Sequence, residues 1–277
     1  MAEATVNYLN FGHIKSAPNA STILANTLRQ RGYVVLQNTG IDRLNRGVRE
    51  QQLLEICTVI GRPIPHNDSD PNSLIWPIKV NNDSYNRSSY ATFSEHSDAA
   101  GLHTDNSFSS DPDHFFCLYT IHKASCGGGD TLLLPMNALI EELRKTKYGR
   151  QVELTLRTLP YEFAVPSIFR ENKNDCFEYN RGLVLSGDHL RFRYDSIKRS
   201  ESEIGATNDD IQRMKALDYF NHLVETSKAT IRFHLEDDDL IFIDNRKVLH
   251  GRSPFKDPKR HLLRVRLHEH RYQRAQP

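Results

Sequence analysis

The stretch Gly101-Leu102-His103-Thr104-Asp105-Asn106-Ser107-Phe108 decides how the rest of the 277-residue chain is read. On a strand, side chains alternate between faces, so the i, i+2 spacing sends His103 and Asp105 to one side and Thr104 to the other. An imidazole and a carboxylate held this way can occupy two adjacent corners of a metal ion. A second histidine from elsewhere would complete a three-ligand face with open positions opposite, which suits ferrous iron. In a chain with 13 histidines and 35 acidic residues such a triplet also arises by chance, so the reading needs a second element.

That element is Asp237-Asp238-Asp239-Leu240-Ile241-Phe242-Ile243-Asp244-Asn245-Arg246-Lys247-Val248-Leu249-His250-Gly251-Arg252. It reads as an acidic turn, an apolar β-branched run, an Asp-Asn turn and a short apolar approach to a histidine. His250 lies 147 residues after His103 (250 − 103), and Arg260 and Arg264 follow in the run Arg260 to Leu267. Between the two histidines stands Gly127-Gly128-Gly129-Asp130-Thr131, whose glycines by themselves mean a tight turn. From about Gly32 to Arg266, this ordered set resembles the taurine dioxygenase and clavaminate synthase-like family of iron(II)- and 2-oxoglutarate-dependent oxygenases.

Bulk properties narrow the field. A net charge of +1, with 26% charged residues and no long basic run, excludes a nucleic-acid footprint. No window approaches the ~18 apolar residues of a membrane span, and the N-terminus lacks a charged region followed by an apolar core, so the expectation is a soluble, cytoplasmic protein. Cys57, Cys117, Cys126 and Cys176 form no C-x-x-C pair, which argues against a zinc knuckle and a disulfide framework. There is no P-loop, nucleophile elbow or dinucleotide fingerprint.

Taken in order, the patterns predict a helix over Asn19–Arg31 stopped by Gly32, a strand from Tyr33, and a helix over Arg46–Ile60. Leu74–Val80 is strand-like, but Pro77 assigns it to a sheet edge, and it holds the only tryptophan, Trp76. The polar run 85–100 is longer than most loops and leads into His103, so it is expected to act as an active-site lid. Strands are predicted over Phe115–Ile121 and Leu132–Leu134, then a helix over Met136–Tyr148 ended by Gly149. Short antiparallel strands follow over Gln151–Ser200, including Leu190–Tyr194. A helix from Asn208 turns Ile211, Met214, Leu217 and Phe220 inward, and a strand covers Lys228–His234. His268 and His270 read as a solvated tail, and the acidic residues 237–239 as a turn. Many strands, a few helices and no regular β-α alternation describe a mainly β, α+β chain forming one domain over residues 1–277. The resemblance implies a double-stranded β-helix, or jelly roll, with flanking helices.

The resemblance also implies the chemistry. His103, Asp105 and His250 would hold iron(II), and 2-oxoglutarate and O2 would take the remaining positions. Thr131 and Arg260 would meet the far carboxylate of 2-oxoglutarate. The usual outcome is hydroxylation of a C–H bond, with desaturation or epoxidation as variants; an intact carboxylate ligand disfavours halogenation. If Arg260 to Arg266 is a strand, Arg264 shares the inward face with Arg260, and a buried guanidinium must meet an anion. Either a protein acid supplies it or the substrate does, and relatives use this second arginine for a substrate acid group. The expected substrate is a small carboxylate-bearing molecule, an amino acid or its derivative. Two other classes stay open from the residues alone: a zinc hydrolase with the same ligands, which would want a general base that no His-Glu-x-x-His helix supplies, and a non-catalytic metal-binding jelly roll. Oligomeric state is left open.

Overall fold

The computed structural model describes residues 6, 8–17, 19–66, 70–80, 96–125, 127–170, 177–204 and 208–270. One sheet contains β1 (Tyr8–Asn10), β2 (Tyr33–Gln37), β3 (Arg62–Ile64), β4 (Trp76–Lys79), β6 (Phe115–His122), β13 (Leu240–Asp244) and β15 (His261–His268). Its order is β1-β2-β13-β6-β15-β3, and β4 also pairs with β15. The second contains β5 (Ala100–His103), β7 (Thr131–Pro135), β12 (Ile231–Phe233) and β14 (Val248–Arg252), in the order β12-β7-β14-β5. Two small hairpins, β8 (Tyr161–Ala164) with β9 (Tyr179–Gly182) and β10 (Leu185–Ser186) with β11 (His189–Leu190), sit apart from these. The helices are α1 (Phe11–Lys15), α2 (Ala20–Arg31), α3 (Arg46–Cys57), α4 (Met136–Arg144), α5 (Lys147–Thr158), α6 (Tyr194–Ile204) and α7 (Asn208–Thr226).

Period-two alternation sorts the large sheet between two cores. Tyr33, Val35, Ile241, Ile243, Phe116 and Leu262 face inward and meet Leu133, Ile231 and Val248 of the second sheet. Their neighbours Val34, Leu36, Leu240, Phe242, Leu263 and Val265 face outward under α2 and α3. Each strand of the large sheet is therefore apolar on both faces, which is why these runs read as continuous apolar stretches. A third core unites α4, α5, α7 and the two hairpins. This two-sheet arrangement is the expected jelly roll with flanking helices. Among the described residues no helix is long and apolar enough to cross a membrane.

Several local expectations need correction. The helix expected over Met136–Tyr148 is two helices, because Thr146 accepts from Gly149 N at 2.9 Å and restarts the spiral. Gly149 is no stop: a Cβ there would come 2.0 Å from Leu143 O, so the glycine permits the close α4–α5 approach. The strands expected from Gln151 are the remainder of α5, whose Val152 and Leu156 repeat at helical spacing and are buried. In Leu190–Tyr194, Leu190 and Phe192 do share a buried side, but Tyr194 opens α6. Ile211 in α7 is 49% exposed, whereas Leu217 and Phe220 are fully buried. His268 is not in a solvated tail; it is the last residue of β15 and buried. Most of the expected lid, residues 85–95, lies outside the described residues, as do Cys126 and Cys176. Cys57 and Cys117 are buried free thiols.

Candidate active site

His103 ends β5, and antiparallel pairing with β14 brings it opposite His250. The two imidazoles lie 4.5 Å apart, centre to centre, at 45°. His103 is oriented by a 2.7 Å hydrogen bond between Nδ1 and Gly101 O, which leaves Nε2 to face the cluster. Phe116 packs against the His250 ring at 4.5 Å, and His250 Nδ1 is buried without a partner, so here too Nε2 is the working edge. Both Nε2 atoms stand 3.5 Å from the same oxygen, Asp105 Oδ1.

Asp105 departs from the sequence reading in one respect, since β5 stops at His103 and the carboxylate sits in the turn beyond it. A side chain replaces the missing ladder. Asn245 Oδ1 accepts from Asp105 N at 2.7 Å, and Asn245 Nδ2 donates to Asp105 O and to Asp113 O, both at 2.9 Å. The Thr104 side chain is held by Phe192 instead, its Oγ1 donating to Phe192 O at 3.3 Å and accepting from Phe192 N at 3.0 Å. Burial alone would raise the Asp105 carboxyl, but Arg264 and the two imidazoles outweigh it and hold it well below the usual carboxylate range. His250 is pushed down to about 4, by burial first and by the proximity of His103 second, so it is a neutral ligand at pH 7.

Of the two arginines singled out in the sequence, Arg264 reaches this cluster, and Arg260 lies beside Arg252, two positions beyond His250. Arg264, on β15, donates from Nη1 to Asp105 Oδ2 at 3.0 Å, while its buried Nε has no partner. Arg260 is only 6% exposed, its Nη1 lacks any acceptor, and its pKa falls to about 9, through burial and then through Arg252. Arg252 and Arg260 both lie against the Phe255 ring, at 4.8 and 5.0 Å. The glycine run is pressed against this segment: a Cβ on Gly128 would come 1.8 Å from Pro254 O, and one on Gly129 would crowd Arg260 Nε at 3.4 Å. Thr131, buried at the start of β7, pairs in register with Arg252.

Three participants were not singled out in the sequence. Asn245 lay within the stretch read as an Asp-Asn turn, but its reach to Asp105, 140 positions away, has no local signature. Arg252 follows His250 by two positions and holds His96 O and Asp98 O through Nη2. Asp113, 1% exposed, takes Arg266 bidentately at 2.7 and 2.6 Å.

The donor set fits iron(II): two imidazoles and one carboxylate converge on one point, the nitrogen, nitrogen and oxygen face that leaves the remaining positions open. A second cluster, Asp111, His114 and His268, also brings its ligand atoms within 4.8 Å of one another. There the two imidazoles are stacked, 4.5 Å apart at 18°.

The comparisons agree with the site. The family model "Taurine catabolism dioxygenase TauD, TfdA family" matches residues 3–266, and the chain belongs to that family. It is a 2-oxoglutarate-dependent non-haem iron dioxygenase, which sets aside the zinc hydrolase and the non-catalytic jelly roll. Among solved structures, the non-haem iron oxygenase OrfP in complex with Fe, succinate and (3R,4R)-dihydroxy-L-Arg superposes with TM-score 0.68 at 16% identity, covering 91% of this chain and 81% of that one. OrfP in complex with Fe, succinate and (3S)-hydroxy-L-Arg gives 0.64 at 17%, covering 94% and 86%. An asparagine oxygenase in complex with Fe(II), 2S,3S-3-hydroxyasparagine and succinate gives 0.64 at 17%, covering 92% and 83%. No curated protein sequence matches the chain significantly.

Proposed function

We propose that the enzyme hydroxylates a C–H bond of a free amino acid or a close amino-acid derivative. The observation that carries this reading is Arg264: it stands beside the metal-facing carboxylate, one N–H on Asp105 Oδ2 and another buried with no acceptor. A guanidinium with donor capacity left over at this point suits a carboxylate bidentately. OrfP and the asparagine oxygenase, both of this fold, are in complex with hydroxylated amino acids, which supports the same substrate class.

In this reading His103, Asp105 and His250 hold iron(II), while Arg260 and Thr131 receive the distal carboxylate of 2-oxoglutarate. When bound, iron(II) with 2-oxoglutarate and O2 supplies the oxidation, and R–H becomes R–OH as 2-oxoglutarate is converted to succinate and carbon dioxide. The chain's own part is placement. Gly101 O keeps the His103 proton on Nδ1, and Asn245 holds the Asp105 backbone. Arg264 occupies Oδ2, so Oδ1 alone is presented to the metal. Arg260, buried beside a second guanidinium, is poised for an anion that relieves its unmet hydrogen bond. We read residues 1–277 as one oxygenase unit, and a cytoplasmic setting accords with the free thiols Cys57 and Cys117.

The test is succinate release with iron(II) and 2-oxoglutarate across free amino acids, each beside its methyl ester. The reading expects at least one acid to be accepted and its ester to be poor; equal turnover of acid and ester would overturn it.

A further inference from the structure

Trp76 is the chain's single tryptophan and the first residue of β4. It pairs directly with Arg264 of β15, which in turn lies opposite Leu118 of β6. Directly opposed residues of antiparallel strands put their side chains on one face. That face looks into the core between the two sheets, where both Trp76 and Leu118 pack, and from it Arg264 reaches Asp105. The indole and the guanidinium therefore share the face from which Arg264 reaches Asp105.

Two donors on these paired residues lack acceptors among the described residues. Trp76 Nε1 and Arg264 Nε are both buried and unpaired. A buried tryptophan N–H ordinarily finds a partner, because leaving it unmet is costly. Among the described residues, the neighbouring His66 and Asp105 are otherwise engaged. His66 tilts against the indole at 5.7 Å, but its Nε2 donates to Arg264 O at 3.2 Å. Burial, with Arg264 and Arg266 nearby, pushes the His66 pKa down to about 3, so it adds no positive charge at neutral pH. Asp105 Oδ2 is taken by Arg264 Nη1, and Oδ1 faces the histidines.

We propose that Trp76 is a substrate-binding residue whose Nε1–H, together with Arg264 Nε–H, donates to the carboxylate of the amino-acid substrate. The inference rests on the substrate class proposed above and adds a specificity-determining residue to it. An indole nitrogen is a donor only, so the pair selects for an acceptor in that place.

The variant is Trp76→Phe, which keeps an aromatic ring and removes the donor. Free L-amino acids, L-arginine and L-asparagine first, are assayed beside their methyl esters. For the accepted acid, KM should rise about tenfold or more, the loss of a hydrogen bond to a charged group, with kcat less affected. KM for 2-oxoglutarate and the affinity for iron(II) should not change, and wild type and variant should handle the ester alike. Because Trp76 is the only indole, its emission in the iron-free wild-type enzyme reports binding without turnover. The accepted acid should shift it saturably in the presence of 2-oxoglutarate, and Arg264→Ala should abolish the shift at the same concentrations. An unchanged KM in Trp76→Phe overturns the role of Trp76 and leaves the amino-acid reading standing. Emission that responds to 2-oxoglutarate alone also overturns it, since the indole would then face the cosubstrate. If no amino acid is turned over, the substrate class falls and this inference falls with it. Should Trp76→Phe fail to fold, the wild-type emission titration decides.

Discussion

Among the described residues stand two clusters of two histidines and an aspartate, and their geometries suit a metal unequally. In His103, Asp105 and His250 the rings are inclined at 45° and both Nε2 atoms point at one carboxylate oxygen. In Asp111, His114 and His268 the rings are stacked at 18°. A nitrogen lone pair lies in its ring plane, so lone pairs of stacked rings run side by side and cannot meet at an ion ~2.0–2.1 Å from both. His114 Nδ1 is also engaged, accepting from Glu269 N at 3.2 Å. The charges differ as well. Arg264 at the first cluster is paired with Asp105 but keeps a buried Nε unmet, and Arg260, beside Arg252, has an unmet Nη1, whereas near the second cluster Arg246 is paired with Asp244 and Glu269 and Arg266 with Asp113. Proximity of ligand-grade residues is thus a poor criterion for a metal site; convergence of lone pairs is a better one.

Breaking each cluster should give opposite results. His250→Ala is expected to abolish iron-dependent succinate release while the apo-protein keeps its circular dichroism, as should His103→Ala and Asp105→Ala. His268→Ala should keep turnover and lose stability, by about 1–3 kcal/mol for a buried polar side chain removed from its packing. Activity surviving in His250→Ala, or iron affinity lost in a folded His268→Ala, would reverse the assignment of the two clusters.

Orientation within the first cluster can be probed through Asn245. Its replacement by alanine removes the bonds to both backbone groups of Asp105, and iron(II) affinity should fall about 10- to 100-fold, as for other outer partners of metal ligands. Isothermal titration of the apo-protein measures this directly, and an unchanged affinity would mean that the turn holds Asp105 without the amide.

The charge difference is tested by Arg260→Lys, which keeps the charge and loses the planar fork. The apparent constant for 2-oxoglutarate should rise about tenfold or more, with that for the main substrate little changed. The reverse pattern would move the cosubstrate role to Arg264.

The smallest effect belongs to the stacked pair. Burial first, then Arg246 and His268, push the His114 pKa from 6.5 down to about 4. The folded state therefore binds this proton more weakly than the unfolded chain, so the contribution is complete above pH 6.5 and is lost as pH falls toward 4. Thermal midpoints over that range should decline less steeply in His114→Phe than in wild type; parallel profiles would show that His114 does not contribute.

Much of the architecture was legible because strand alternation and apolar content are local properties. The sheet-forming runs at Tyr33, Phe115 and Leu240 needed only neighbours to be recognised, and Pro77 correctly assigned Leu74–Val80 to an edge; the strand expected from Arg260 begins at His261 with a register shift before Leu262, so the placement of Arg260 does not follow from alternation with Arg264. Errors fell where two patterns competed. Gly149 looked like a helix stop because its role depends on Leu143 across a helix pair, and His268 looked exposed because the strand that buries it was read as having ended.

By itself, the sequence offered candidate metal ligands, because ligand type is a property of each residue, but the strand alternation invoked for His103 and Asp105 does not reach Asp105, which lies in the turn after β5. Together with the family resemblance it also pointed to Arg260 and Arg264 as residues that meet anions, because a guanidinium stays charged when buried. Only the tertiary structure decided how those groups point. Asn245 stands in for a strand across 140 positions, Arg264 meets Asp105 across 159, and Trp76 comes to lie beside Arg264 through the pairing of β4 with β15. Ring planes, lone-pair directions and unmet donors are set by such long-range packing, and no local pattern in the chain encodes them.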